Sequence, residues 1–275
     1  MSGTLFVVGT PIGNLGDFSP RAVETLEKCD FIAAEDTRVT LKLLNRFEIK
    51  KPMISYFEHN RFERGSVIAD RIAAGENCAL VTDAGMPAIS DPGEDLVKLC
   101  RERGLSVEAV PGPCAFATAL AVSGMPSKRF TFEGFLPVDK QSRRAHIESL
   151  EGETRTMIFY EAPHKFASTL ADLAARLGDR EIAIVRELTK IHEQVIKTTL
   201  AAAAEKYSRE DIKGEIVLIV GGAPCAQKEK MTAQQAAEYA RELIKAGESK
   251  TEAAKIAAKE SGLKKGDIYK LLIEE

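Results

Sequence analysis

Three stretches of the chain combine glycine, proline and small polar residues at spacings suited to holding a ligand against the main chain. The first, Gly9-Thr10-Pro11-Ile12-Gly13-Asn14-Leu15-Gly16-Asp17, follows an apolar run and precedes a helical pattern. That is where an α/β sheet takes small molecules, at the carboxyl ends of its strands. Its spacing is neither GxGxxG nor GxxxxGKS/T, and no lysine follows to reach a phosphate, so a dinucleotide or nucleoside triphosphate is poorly supported. The second stretch runs from Thr82-Asp83-Ala84-Gly85 through Met86-Pro87-Ala88-Ile89-Ser90 to Asp91-Pro92-Gly93. Its Gly/Pro pairs hold the backbone in a path poor in side chains, which lets a ligand approach closely. The third, Pro111-Gly112-Pro113-Cys114-Ala115, opens a helix whose free amides suit a carboxylate. Each stretch alone reads equally as ordinary turn chemistry; the three together describe a ligand site. Asp83 is either an acceptor in that site or a residue that fixes its own loop.

Candidate acid–base and cationic groups come later. Glu161-Ala162-Pro163-His164-Lys165, and the run from Arg186 and Glu187 through Lys190 to His192 and Glu193, fall at predicted strand ends. They suit proton transfer and charge stabilisation, or equally a structural ion-pair network. Glu35-Asp36-Thr37-Arg38 reads as a polar cluster of the cleft or as a helix cap. His59 and His146 read as surface or hydrogen-bonded residues, and no spacing fits a metal. The cysteines Cys29, Cys78, Cys100, Cys114 and Cys225 form no CxxC pair and read as buried or incidental thiols. A basic loop at 139–146 carries Lys140, Arg143 and Arg144 beside the aromatic segment 132–135. Residues 249–272 hold six lysines, Lys264 and Lys265 among them, against three acids, which suits phosphate contacts or a solvated helix face.

These residues must be positioned by a chain of 275 residues, 44% apolar and 29% charged, with a net charge of −3. That make-up is globular and excludes collagen-like, coiled-coil and disulfide-framework proteins. No apolar run approaches the roughly 20 residues that span a bilayer. The opening residues lack the layout of a signal peptide, so the cytoplasm is expected. Continuous apolar runs at 4–8, 31–34, 53–56, 78–82 and 107–110 predict strands buried on both faces of a parallel sheet, with helices between them. Ser19-Pro20 supplies a cap and a first-turn proline. After a helix at 114–122, Ser123-Gly124-Met125-Pro126 marks a boundary. A second α/β unit follows, with strands at 129–132, 156–160, 181–185, 194–198 and 215–220 and helices at 142–150 and 165–177. The tract 201–204 reads as alanine-rich low complexity, and Gly221-Gly222-Ala223-Pro224 as a linker. Beyond it three helices are legible: Thr232 with Gln235 and Ser249 with Glu252 fit capping boxes, Gly247 and Gly262 suit helix ends, and Asp267 caps the final turn. The expected fold class is therefore α/β: two domains, 1–125 and 126–224, with mainly parallel or mixed sheets, plus a small helical, HTH-like tail at 231–275.

The runs VGTPIGNLGD, AAEDTR, ISYFEHN, VTDAGMPAISDPG, PGPCA, RFTFEGFLP, IFYEAPH, RELTKIHE and KGEIVLIV occur in one order along the chain. In that order and spacing they resemble the tetrapyrrole-methylase-like superfamily and, within it, the ribosomal RNA small subunit methyltransferase I family, over essentially residues 4 to 275. The resemblance implies a homodimer that binds S-adenosylmethionine between its α/β domains and 2′-O-methylates a cytidine of 16S ribosomal RNA, within the assembled 30S subunit. Relatives acting on tetrapyrroles carry Gly-Asp-Pro where this chain has Gly85-Met86-Pro87, which disfavours a corrin or porphyrin substrate. A donor without phosphates suits lysine-free loops. The expected donor-binding residues are Thr10, Pro11, Gly85, Met86, Pro87, Ala88, Ile89, Ser90, Pro113, Cys114 and Ala115, with Tyr160, Glu161, Ala162 and Leu188 from the second domain. A ribose hydroxyl is a poor nucleophile, so Glu161 is expected as base or orienter and Lys190 as the charge near the hydroxyl. Lys140, Arg143, Arg144, Lys264 and Lys265 are the expected RNA contacts. The alternatives are a small-molecule methylase, which would bind no RNA, and an inactive ribosome-associated protein, which would bind donor without turnover.

Overall fold

The structure is a computed structural model that describes residues 2–224 and 231–273. Cys225, one of the five thiols, lies outside the described residues. The chain divides into two compact units, Met1–Ala223 and Pro224–Glu275.

The first unit begins with β1 (Thr4–Val8), β2 (Phe31–Ala34), β3 (Met53–Ser55), β4 (Cys78–Val81) and β5 (Ser106–Val110). They form one all-parallel sheet in the order β3-β2-β4-β1-β5. The helices α1 (Pro20–Lys28), α2 (Thr37–Arg46), α3 (Arg61–Ala73), α4 (Glu94–Glu102) and α5 (Ala115–Ser123) occupy the crossovers and the exit. The continuous apolar runs have the expected cause in the central strands. Alternate residues feed two cores, Leu5, Phe31, Ala33 and Leu80 against α3 and α4, and Val8, Ile32, Ala34 and Val81 against α1 and α2. The edge strand β5 departs from this pattern. Ser106, Glu108 and Ala109 are exposed, because β5 has a neighbour on one side only.

The second half of the unit contains β6 (Phe130–Phe135), α6 (Lys140–Ser149), β7 (Thr156–Glu161), α7 (Pro163–Leu177), β8 (Glu181–Arg186), β9 (Gln194–Thr199), α8 (Leu200–Tyr207) and β10 (Ile216–Val220). Its sheet is mixed, in the order β6-β7-β10-β8-β9, with only β6 and β7 parallel. One face packs on α6, α7 and α8. The other, from Ile158, Ala183, Val185, Val217 and Ile219, packs on Ala119 and Leu120 of α5 and on Ile12 from the loop after β1. Helix α5 is apolar nearly all round, but it buries only the face of Ala119, Leu120 and Ser123 in this seam and leaves Ala117, Ala121 and Val122 exposed.

Three expectations need correction. The basic segment at 139–146 is not a loop: Asp139 caps α6, accepting from Ser142 N–H at 2.8 Å, so its cations are fixed on a helix. The alanine tract is α8, capped by Thr199, since alanine lets the helix lie close on α7. The expected linker begins inside the unit. Ala223 N–H donates to Glu153 O at 2.6 Å, and a β-carbon on Gly222 would overlap Thr154 O.

The second unit is a three-helix cluster of α9 (Ala233–Lys245), α10 (Lys250–Ser261) and α11 (Lys265–Leu271) around Ala236, Ala240, Ala253, Ala257 and Ile268. Thr232 and Gln235 form the reciprocal capping box. Ser249 Oγ accepts from Glu252 N–H at 3.2 Å, but Glu252 turns its carboxylate to Lys255 Nζ at 2.9 Å instead of back to the cap. Asp267 is not the cap of α11, whose N-cap is Lys264; it sits in the first turn, where its charge meets the positive end of the helix. The three residues 262–264 separate α10 from α11, the spacing of a helix-turn-helix. Among the described residues no helix is long and apolar enough to cross a membrane.

Candidate active site

The loops after β1, β4 and β5 meet at the carboxyl edge of the first sheet through their backbones. Thr10 and Gly85 exchange main-chain hydrogen bonds, at 2.9 and 3.2 Å, and Thr10 Oγ1 donates to Thr82 O at 3.2 Å. Gly9 lies against Gly112 so tightly that a β-carbon on Gly9 would sit 2.7 Å from Gly112 Cα. Only glycine on both sides permits that approach.

Facing these loops are the ends of β7 and β8 and the start of β10, and between the two halves lies a cavity of about 380 Å³. Its wall contains Ile12, Phe135, Val185 and Val217, with the acidic residues Asp91, Glu161 and Glu215 and, among the described residues, no lysine or arginine. Two wall residues are presented the same way. Ile89 stands between Ala88 (φ 66°) and Ser90 (φ 63°), and Leu188 between Glu187 (φ 51°) and Thr189 (φ 66°). Left-handed backbone at residues other than glycine costs about 1–3 kcal/mol each and survives only where the surroundings hold it.

Of the expected donor contacts, Gly85, Met86, Ile89, Ser90, Cys114, Ala115, Tyr160, Glu161, Ala162 and Leu188 line this cavity. Thr10, Pro11, Pro87, Ala88 and Pro113 do not. Thr10 is spent on the Gly85 pairing, Pro87 is buried, and Ala88 faces a neighbouring acidic groove. Pro113 sets its carbonyl against Gly85, 3.5 Å from where a β-carbon would stand. Tyr160 joins the two halves: its hydroxyl accepts from Phe116 N–H at 3.1 Å at the start of α5, and burial pushes its pKa up to about 12.

Glu161 is buried, and both its oxygens are held. Oε1 accepts from Ala162 N–H at 2.8 Å, and Oε2 accepts from the hydroxyl of fully buried Thr169. Thr169 in turn accepts from Arg143 Nη2 at 2.7 Å, and Arg143 Nε donates to Asp172 at 2.8 Å. Arg143, expected as an RNA contact, is thus a mostly buried structural cation, whereas Lys140 and Arg144 are exposed. Lys190 is not on the cavity wall. Its stem packs over Gly13, and its ammonium sits 3.1 Å from Glu187 and 3.2 Å from Glu215. Burial works against its charge, but those hydrogen bonds outweigh it and raise the pKa. Glu187 is held below the usual range by the Glu215 N–H and by Lys190. Lys264 and Lys265 are exposed on the second unit.

Asp91 is the wall residue that sequence reasoning passed over. Burial, with the charges of Glu35 and Asp83 behind it, raises its pKa from 3.8 to about 7. The signal was present in Ser90-Asp91-Pro92-Gly93, but nothing local showed that the turn would half-bury a carboxylate between the cavity and the neighbouring acidic groove. Asp83 fixes its loop: its Oδ1 accepts from Asp36 N–H at 3.2 Å, and its own N–H donates to Glu35 at 3.3 Å. Arg38 beside Asp36 lowers that carboxyl to about 2. Among the described residues no group of His, Cys, Asp or Glu is arranged to hold a metal ion.

The profile of the family Tetrapyrrole (Corrin/Porphyrin) Methylases matches residues 4–204. A Synechocystis protein named Ribosomal RNA small subunit methyltransferase I is 44% identical over 273 residues, 99% of this chain and 98% of that one. The chain belongs to the ribosomal RNA small subunit methyltransferase I family, within the tetrapyrrole methylases. A family member of the same name from Thermotoga maritima is 46% identical over 220 residues, which are 99% of its length but 80% of this chain. Among solved structures, uroporphyrin-III C-methyltransferase from Thermus thermophilus, complexed with S-adenyl homocysteine, shares the fold. Its TM-score is 0.57 at 16% identity, covering 80% of this chain and 97% of that one. The family's fold thus accounts for the two facing halves, and the cavity lies between them.

Proposed function

We propose that this chain transfers a methyl group from S-adenosylmethionine to the ribose 2′-hydroxyl of a cytidine in small-subunit ribosomal RNA. The observation that carries the reading is a largely apolar cavity, with Asp91 on its wall and, among the described residues, no lysine or arginine there, in a chain that matches ribosomal RNA small subunit methyltransferase I relatives nearly end to end. The wall fits the donor. A sulfonium cation is opposed by lysine or arginine and favoured by a nearby carboxylate such as Asp91, and the apolar side chains with exposed loop backbone suit a nucleoside.

When bound, the donor supplies an electrophilic methyl group on sulfur. Gly85, Met86, Ile89, Cys114 and Ala115 would hold it from one side, Tyr160, Ala162 and Leu188 from the other. Asp91 is the base: it lies on the cavity wall, burial raises its carboxyl to about 7, and its carboxylate would take the proton that the ribose hydroxyl gives up on methylation. Glu161, locked through Thr169, orients the 161–163 turn, and Lys190 acts through Glu215, which it keeps at the wall. Positioning two reactants in this way is worth roughly 7 to 11 kcal/mol. The working unit in this reading is a homodimer in the cytoplasm, and its substrate is the assembled 30S subunit.

The test incubates the protein and labelled S-adenosylmethionine with unmodified small subunits and, separately, their naked RNA, and maps the label to nucleotide and atom. A 2′-O-methyl on one cytidine is the expected result. Donor binding without label in either substrate overturns the reading in favour of a small-molecule methylase or an inactive binding protein.

A further inference from the structure

Beside the cleft, α6 and α7 border a groove of about 530 Å³ whose wall carries five cations, Lys140, Arg143, Arg144, Lys165 and Arg176, against one carboxylate, Asp172. Pairing does not neutralise it. Arg143 is committed to Asp172, and Arg144 and Arg176 share a single oxygen, Glu148 Oε1, at 2.8 and 3.1 Å, with Glu151 a further 4.0 Å from Arg176. Among the described residues neither Lys140 nor Lys165 has a carboxylate within ion-pair distance, so the groove keeps an excess of positive charge in a molecule that is net negative.

Its place relative to the cleft is fixed by two elements that serve both. Helix α7 puts Pro163 in the cleft wall and Lys165 and Ser168 in the groove wall, a separation of at most about 7.5 Å along the axis at 1.5 Å per residue. The segment leaving β6 puts Phe135 in the cleft and Val138, 81% exposed, at the groove. Behind the wall, the chain Arg143–Thr169–Glu161 ties one to the other.

We infer that this groove binds the phosphodiester groups of the RNA strand whose ribose enters the cleft, with Lys140, Arg144, Lys165 and Arg176 as the phosphate contacts. The inference rests on the RNA substrate proposed above. Such contacts set the register and direction of a strand without reading its bases, which leaves base choice to the cleft.

The experiment uses the full chain carrying Lys140→Gln and Lys165→Gln together. Because neither lysine has a carboxylate partner among the described residues, their removal leaves no ion pair there broken, and thermal melting checks that the fold is kept. Lys42→Gln on α2 is the charge-loss control. Methyl transfer to small subunits is followed as KM and kcat between about 50 and 200 mM salt, with donor affinity by calorimetry. The double variant is expected to raise KM for the subunit about tenfold and to flatten the salt dependence by about 0.7 per lost contact, with donor affinity at the wild-type value. Unchanged KM and salt slope overturn the groove alone. A fall in kcat at wild-type KM assigns the lysines to support of the cleft and also overturns it. Wild-type protein that methylates no small-subunit RNA removes the RNA reading and the groove with it.

Discussion

At the scale of single residues, the site depends on how buried polar groups are satisfied. Thr169 donates to Glu161 and accepts from Arg143, so Thr169→Val leaves a buried carboxylate oxygen and a guanidinium N–H without their partner. A loss of about 1–3 kcal/mol in denaturant unfolding is expected, with Thr169→Ser restoring most of it. Equal stability of Val and Ser variants would show that the hydroxyl does not matter. Asp91 makes a pH-dependent contribution of definite sign. Its folded pKa, about 7, lies above its ordinary 3.8, so across that window the native state holds a proton the unfolded state has released. Its contribution therefore falls as pH rises from about 4 to 7 and is level above that. Asp91→Asn should remove that part of the slope from chemical denaturation curves and abolish methyl transfer at every pH. A variant that keeps the wild-type slope, or turnover that does not rise through pH 7 in the wild type, would exclude Asp91 as the buried acid and base.

At the scale of elements, the cleft is shaped by backbones more than by side chains. The Gly9–Gly112 approach is the clearest case, and Gly112→Ala should push the loops after β1 and β5 apart. Isothermal titration should then show donor affinity falling at least about tenfold, the effect of roughly 1.4 kcal/mol, while unit-wide helix content is retained. Undiminished affinity would mean that the loops do not need this contact. Much of this layer was legible in sequence. The strands of the first sheet show as continuous apolar runs, since residues such as Ile32 and Ala33 feed opposite cores, and the Gly/Pro loops announce themselves by composition. Other features have no local signature. The tract at 201–204 lacks a conspicuous apolar stripe, so α8 is fixed by its contact with α7. Arg143, Arg144 and Lys140 look alike in the sequence, yet only α6 packing on α7 decides that Arg143 turns inward to Thr169. Lys190 and Glu215 are 25 positions apart, and their pairing follows from β10 lying beside β8.

At the scale of the molecule, the two units make separable contributions. The second has its own alanine-lined core, and the Thermotoga maritima relative is matched along 99% of its length by 220 residues, a stretch close in length to the first unit alone. A protein ending at Pro224 should therefore fold and bind S-adenosylmethionine with unchanged affinity, while its KM for small subunits rises if Lys264 and Lys265 contact RNA. Loss of donor binding on truncation would make the tail part of the core enzyme. The order of strands has a further consequence for how the chain is made. Among the described residues β10 is the last strand to leave the ribosome, yet it lies at the centre of its sheet, between β7 and β8, with all five residues buried. The first sheet has all its strands by Val110 and can close early in synthesis. The second must wait, with β7 and β8 each offering an unpaired edge, for about 30 residues beyond Arg186 to be translated. A nascent chain in that interval presents open strands to its neighbours, the condition in which intermolecular pairing competes with folding and chaperone capture becomes useful.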